Sequence, residues 1–171
     1  MTIFHAVLAF ALLQRGAELW LAHRNTAPLI RAGAVEVDRA GYKWFVALHA
    51  AWLAALVIFV PPAMPPIGPL LTVFGVLQLG RVWVIASLGH RWTTRLIVLP
   101  DASPVTTGPY RWLNHPNYLI VTAEIAILPL AFAAVAIAVV FSACNGLLLA
   151  RRIRLEDTAL RAVNHPQPSH S

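Results

Sequence analysis

The run YLIVTAEIAILPLAFAAVAIAVVFSACNGLLL, Tyr118 to Leu149, decides how this chain is folded. It is 32 residues long, and beyond Tyr118 only Thr122, Glu124, Pro129, Ser142, Asn145 and Gly146 interrupt its apolar character. At about 1.5 Å per residue a single helix of that length overshoots the roughly 30 Å hydrocarbon core of a bilayer. Pro129 offers a break, so the run reads as a hairpin of two short helices turning near Pro129 to Ala133. Charge agrees with this. Arg151, Arg152, Arg154 and Arg161 follow the run, whereas Arg24, Arg31, Arg91 and Arg95 belong to earlier connections. The excess of Lys and Arg on cytoplasmic loops puts both sets on one side only if the run crosses twice.

Composition places the whole chain in the same class. Hydrophobic residues make up 58% and charged residues 12% of 171, with a mean hydropathy of +0.67, outside the usual range of soluble domains. The expected fold is therefore all-α: a polytopic integral membrane protein with about five spans, near 3–21, 44–60, 67–88, 118–131 and 133–149. They form a single domain over 1–163, with a Pro-, Ser- and His-rich tail, 164–171, expected to be disordered. The orientation that satisfies the charges has the N-terminus outside and the C-terminus in the cytoplasm, in a bacterial-type inner membrane. The stretch Ile3 to Leu13 lacks preceding Lys or Arg and a small-residue cleavage site, so it reads as a retained helix. The net charge of +6 is spread between apolar spans, which suits anionic lipid headgroups and a negatively charged small molecule better than nucleic acid. Oligomeric state is not legible.

Several single residues carry expectations. Cys144 stands alone in an apolar run and reads as a packed core cysteine. Gly33 and Gly41 read as turn or cap positions in a loop from Ala22 to Lys43, and Pro61, Pro62, Pro65, Pro66 and Pro69 as a tight loop on the opposite side. Arg15 and Glu18 are three apart and can pair across one helix face. His49 reads as a hydrogen-bonded interior histidine. The seven histidines show no metal-ligand spacing, so no metal site is expected.

The richest chemistry lies just before the long run, in GPYRWLNHPNY, Gly108 to Tyr118. Each proline fixes its own φ and keeps the preceding residue, Gly108 or His115, out of the α region, so the segment is bent twice and stiff. It presents two phenols, an imidazole and the forked cation of Arg111. An interfacial aromatic belt is the plainer reading of such residues. Two further features favour a site. Arg81 and Glu124 sit inside apolar spans, where a lone charge needs a partner, and the tail RRIRLED, Arg151 to Asp157, returns to the same side as the bent loop. Arg152 and Glu156, four apart, share a helix face there.

These strings together resemble the isoprenylcysteine carboxyl methyltransferase family. The resemblance rests on Gly108-Pro109-Tyr110-Arg111, His115-Pro116-x-Tyr118, Glu124 and Arg152-Ile153-x-x-Glu156-Asp157-x-x-Leu160. Glu18-Leu19, Arg24-Asn25, Arg81-x-Trp83, Leu88-Gly89-x-x-Trp92-x-x-Arg95 and Val98-Leu99-Pro100 look like its small bacterial branch, some members of which methylate alkylpyrones. Asp157 stands where the family usually has Glu. The resemblance implies S-adenosylmethionine as methyl donor, held by Val105, Tyr110, His115, Pro116, Asn117, Tyr118 and Glu156. It makes Arg152 and Glu156 the catalytic candidates, with Arg95, Glu124 and Arg152 facing a lipophilic acceptor. An alkylpyrone or phenolic hydroxyl ranks first as acceptor and a prenyl-type or lipid carboxylate second. Two other classes stand beside this one: a polytopic sterol-type reductase using NAD(P)H, and a non-catalytic membrane adaptor.

Overall fold

The computed structural model describes residues 2–100 and 102–164. Five α-helices carry the fold: α1 (Ile3–Arg31), α2 (Arg39–Phe59), α3 (Gly68–Leu88), α4 (Pro116–Leu130) and α5 (Val135–Asn164). Two short strands, β1 (Val35–Glu36) and β2 (Ile97–Val98), pair antiparallel across one end of the bundle. The protein is an all-α integral membrane protein. Helical segments Arg39–Phe59, Gly68–Arg91 and Val135–Ala159 are long and apolar enough to cross a membrane, α4 is a shorter apolar helix, and α1 is long but interrupted by Gln14, Arg15 and Glu18.

The hairpin is formed as expected. Helix α4 ends at Leu130, and the reversal is closed by Ala133 N–H donating to Leu130 O and Ala134 N–H to Pro129 O. Ala131 and Phe132 of the turn are buried, and Ile67 N–H donates to Ala131 O at 2.8 Å, so the turn packs against the proline-rich α2–α3 connection. Around it Phe4, Leu8, Trp52, Leu56, Phe74, Ile125, Leu128 and Phe132 form the main apolar core. One end of the bundle is thus solid. The other is hollow, and the polar segments gather there.

Three expectations are corrected. The connection Ala22 to Lys43 is largely helix, because α1 continues through Pro28 to Arg31. That extension is held down by buried Ala22 and Leu29 and by the Asn25 amide, which donates to the carbonyls of Gly89 and Trp92. Gly33, at φ 91°, ends α1, as a residue without Cβ can. Gly41 is no turn: it lies in the first turn of α2, where any Cβ would run into the Asp38 carboxylate and the Arg151 guanidinium. Cys144 is exposed rather than packed, since the inward stripe of α5 passes through Asn145, Leu149 and Arg152 and turns its neighbour outward. The tail 165–171 lies outside the described residues, and Asn164 ends α5.

Asp38 caps α2 and clamps it to α5. Its carboxylate accepts from Gly41 N–H at 3.0 Å and from Arg151 Nη1 and Nη2 at 2.7 and 3.1 Å. Hydrogen bonds from Arg151 hold its pKa below the ordinary 3.8. Because the folded-state pKa is the lower one, the clamp contributes fully above the ordinary value and is lost as pH falls through the folded one. Unfolding temperature in detergent should therefore drop more steeply below about pH 4 for the natural chain than for Asp38→Asn, which has no such carboxylate to titrate.

Candidate functional site

The hollow end encloses a cavity of about 740 Å³. Its walls come from α1, α2, the connection from Leu88 to Tyr118, the start of α4 as far as Val121 and the inward stripe of α5, with Arg81 of α3 also lining it. Strand pairing shapes the connection, with Val35 opposite Val98 and Glu36 opposite Ile97. A further bond from Val37 N–H to Leu96 O continues the ladder. Arg91 Nη1 donates to Ser103 O at 2.7 Å and ties the next stretch back.

The bent loop does what its prolines require. Gly108 to Arg111 makes one 3-10 turn, and Pro116 opens α4 as its first residue. Gly108 adopts φ 59°, and a Cβ there would meet Ser87 Oγ and approach Trp83 Nε1 on α3. Both effects oppose a side chain, so Gly108→Ala should cost about 1–3 kcal/mol and lower the unfolding temperature measurably by differential scanning fluorimetry.

The loop and the tail meet at Tyr118. Its hydroxyl donates to Glu156 Oε2 at 2.7 Å and accepts from Arg152 Nε at 3.0 Å. The Arg152 Nη2 donates to Thr94 O at 3.0 Å, and its guanidinium carbon lies 5.1 Å from the Phe45 ring centre and 5.6 Å from that of Tyr118. Arg152 is thereby fixed by two hydrogen bonds and two aromatic faces, an arrangement that suits a planar guanidinium and not an ammonium. The His115 ring stacks on Tyr118 with centroids 5.0 Å apart and planes 10° off parallel. Tyr110 also lines the cavity, and burial, followed by the charge of Glu156, raises its pKa to about 12, so its phenol stays neutral and protonated. The Asn117 Oδ1 is buried without a partner among the described residues.

Of the residues singled out from sequence, Val105, Tyr110, His115, Asn117, Tyr118, Arg95, Arg152 and Glu156 all line this one cavity. Pro116 is buried and does not line it. Arg95 lines it with its guanidinium paired to Glu36 at 3.0 Å and 5.4 Å from the Tyr42 ring centre. Glu124 is placed otherwise, which corrects its reading as a substrate-binding group. It does not line the cavity, and its oxygens are taken by Arg81, by Arg15 at 2.5 Å and by Gln78 at 2.9 Å. Arg81, 1% exposed, also reaches Glu18 at 3.0 Å, and Glu18 accepts from Arg15 at 2.8 Å. Two cations and two anions, formally neutral together, hold α1, α3 and α4 at the depth of the cavity floor.

Sequence reasoning did not find Phe45, the Thr94 carbonyl, Tyr42 or Glu36. Tyr42 and Phe45 are spaced three apart on α2 and so share a face, a visible signal but one that any packed helix gives. The strand pairing that brings Glu36 to Arg95 involves only two residues a side, too few for periodicity to show.

The cavity also opens sideways. Helices α1 and α2 share the core at the solid end, and beyond it Leu12 and Leu19 of α1 and Val46 of α2 line the cavity while 44 to 49% exposed, so it reaches the flank of the bundle there. A polar mouth thus adjoins an apolar slot.

Comparison with known proteins settles the lineage. A family model described as the isoprenylcysteine carboxyl methyltransferase family matches residues 70–162. The chain belongs to this family. It is also 34% identical over 164 residues to a Bacillus subtilis (strain 168) protein described as "Uncharacterized protein YpbQ", covering 93% of this chain and 97% of the relative. No solved structure matches it. Isoprenylcysteine carboxyl methyltransferase family members are in general S-adenosylmethionine-dependent membrane methyltransferases, and the matched region contains α3 from Leu70 on, the bent loop, the hairpin and the Arg152–Glu156 face.

Proposed function

We propose that the protein methylates an acidic oxygen on a lipophilic acceptor, with S-adenosylmethionine as donor. The observation that carries this reading is Arg152, locked where the polar mouth meets the apolar slot. The residues at the mouth fit the donor. Glu156 supplies a carboxylate for a cationic or amino group, Tyr110 and the His115–Tyr118 stack supply flat faces for a base, and the unpartnered Asn117 Oδ1 supplies an acceptor. Val105 and the turn His115 to Tyr118 complete that wall, with Pro116 stiffening it from behind.

When bound, the donor supplies an electrophilic methyl on a sulfonium. Arg152 holds the acceptor oxygen ionised and aims it, as a fixed cation beside an acid does. Such a reaction consumes one cation and one anion, so it gains from a dry setting, and the apolar slot excludes water. The slot takes the lipid tail from the side. Arg95, next in the chain to the Thr94 that Arg152 binds, helps hold the acceptor. The acceptors that suit this arrangement are an alkylpyrone or phenolic hydroxyl first and a prenyl-type or lipid carboxylate second. Donor entry from the cytoplasm, with the N-terminus outside in a bacterial inner membrane, accords with the arginines that crowd the hollow end.

Purified protein in detergent, given labelled S-adenosylmethionine and a panel of such lipids, should transfer label to at least one oxygen acceptor. Calorimetry should show binding of S-adenosylmethionine and none of NADPH. Label transfer to no acceptor overturns the proposal.

A further inference from the structure

We propose that the deep end of the cavity is a second recognition site, which takes a hydroxyl carried on the acceptor's chain. The inference rests on the methyl-transfer reading. Arg15 of α1, His49 of α2 and Asn145 of α5 all line this end, and each has a polar atom to spare. His49 Nδ1 donates to the Phe45 carbonyl at 2.8 Å, so in the neutral ring Nε2 carries the lone pair. Asn145 is 1% exposed. Its Nδ2 donates to Thr122 Oγ1 at 3.1 Å, and its Oδ1 is buried with no partner among the described residues. Arg15 spends one N–H of Nη1 on Glu18 and one of Nη2 on Glu124, which leaves three of its five N–H groups, the Nε–H among them.

A hydroxyl fits this set: its one hydrogen goes to His49 Nε2 or to Asn145 Oδ1, and its oxygen accepts from Arg15. A plain alkyl chain would instead bury these atoms unpaired, in surroundings where that is costly. Helix geometry sets the depth. His49 lies one turn from Phe45, whose face Arg152 covers, and Asn145 lies two turns from Arg152 with Leu149 between. The hydroxyl therefore sits roughly 5–10 Å beyond the methylated oxygen, on the chain and not beside that oxygen on a shared ring.

The test uses full-length protein and acceptors of one head group and one chain length, with a hydroxyl absent or placed at successive chain carbons. We expect kcat/KM to peak at one position by about tenfold or more over the plain chain. In at least one of His49→Phe and Asn145→Leu, made separately, that ratio should fall to within about twofold of unity. A natural chain that uses plain and hydroxylated acceptors equally overturns the inference, as does a preference that survives both substitutions. If no acceptor is methylated, the methyl-transfer reading fails by itself. Calorimetric affinities of the same lipids then decide the deep site: tighter binding of one hydroxylated isomer supports it, and equal binding overturns it.

Discussion

Arg152→Ala should lower kcat/KM for methyl transfer by about 10²–10³-fold, the usual cost of deleting one preorganised charge stabiliser from a dry site. Donor affinity should change only a few-fold, because Tyr110, Asn117 and Glu156 stay in the wall. Arg152→Lys is the sharper variant. It keeps the positive charge but cannot both bridge the Tyr118 hydroxyl to the Thr94 carbonyl and lie flat between Phe45 and Tyr118. We expect it to lose about tenfold or more. Steady-state kinetics with calorimetry of donor binding checks both variants. Undiminished turnover in Arg152→Ala would remove the basis of the proposed function.

The largest effect on stability should come from Glu124→Ala. It strips the buried Arg81 of its principal partner and Arg15 of one of its two, at the depth of the bilayer. Breaking a buried pair from one side costs about 3–5 kcal/mol, a large part of the total stability of a small domain. Little monodisperse protein should survive detergent extraction. The double substitution Arg81→Met with Glu124→Leu removes one charge of each sign and leaves Arg15 with Glu18. It should recover much of the loss, because apolar groups of like volume often replace a buried ion pair at little cost. Size-exclusion yield and unfolding temperature of the two variants separate a structural network from a catalytic one.

Much of this arrangement was legible in the residues. The length of the Tyr118–Leu149 run and the arginines after it forced a hairpin, and the hairpin brings Arg152 back to Tyr118 and Glu156 back to His115. The need of Glu124 for a cation was likewise readable, and Arg81 meets it. What could not be read was how the need was met. With Arg15, Arg81 and Gln78 filling its oxygens, Glu124 has nothing left for a ligand, and that closure depends on how three helices lean together. The extension of α1 to Arg31 is not legible in the sequence because residues 22–31 are polar in character and contain Pro28, whereas the Asn25 bonds that hold them down are made to distant carbonyls. Cys144 and Asn145 are neighbours in sequence, and only the phase of α5 decides which faces inward.

The opening between α1 and α2 has a kinetic meaning of its own. A guest arriving through the flank of the bundle is drawn from a two-dimensional pool, so its encounter frequency follows its share among surrounding lipids and not its amount per litre. Diluting the vesicles should leave such a supply untouched, while adding inert phospholipid should thin it.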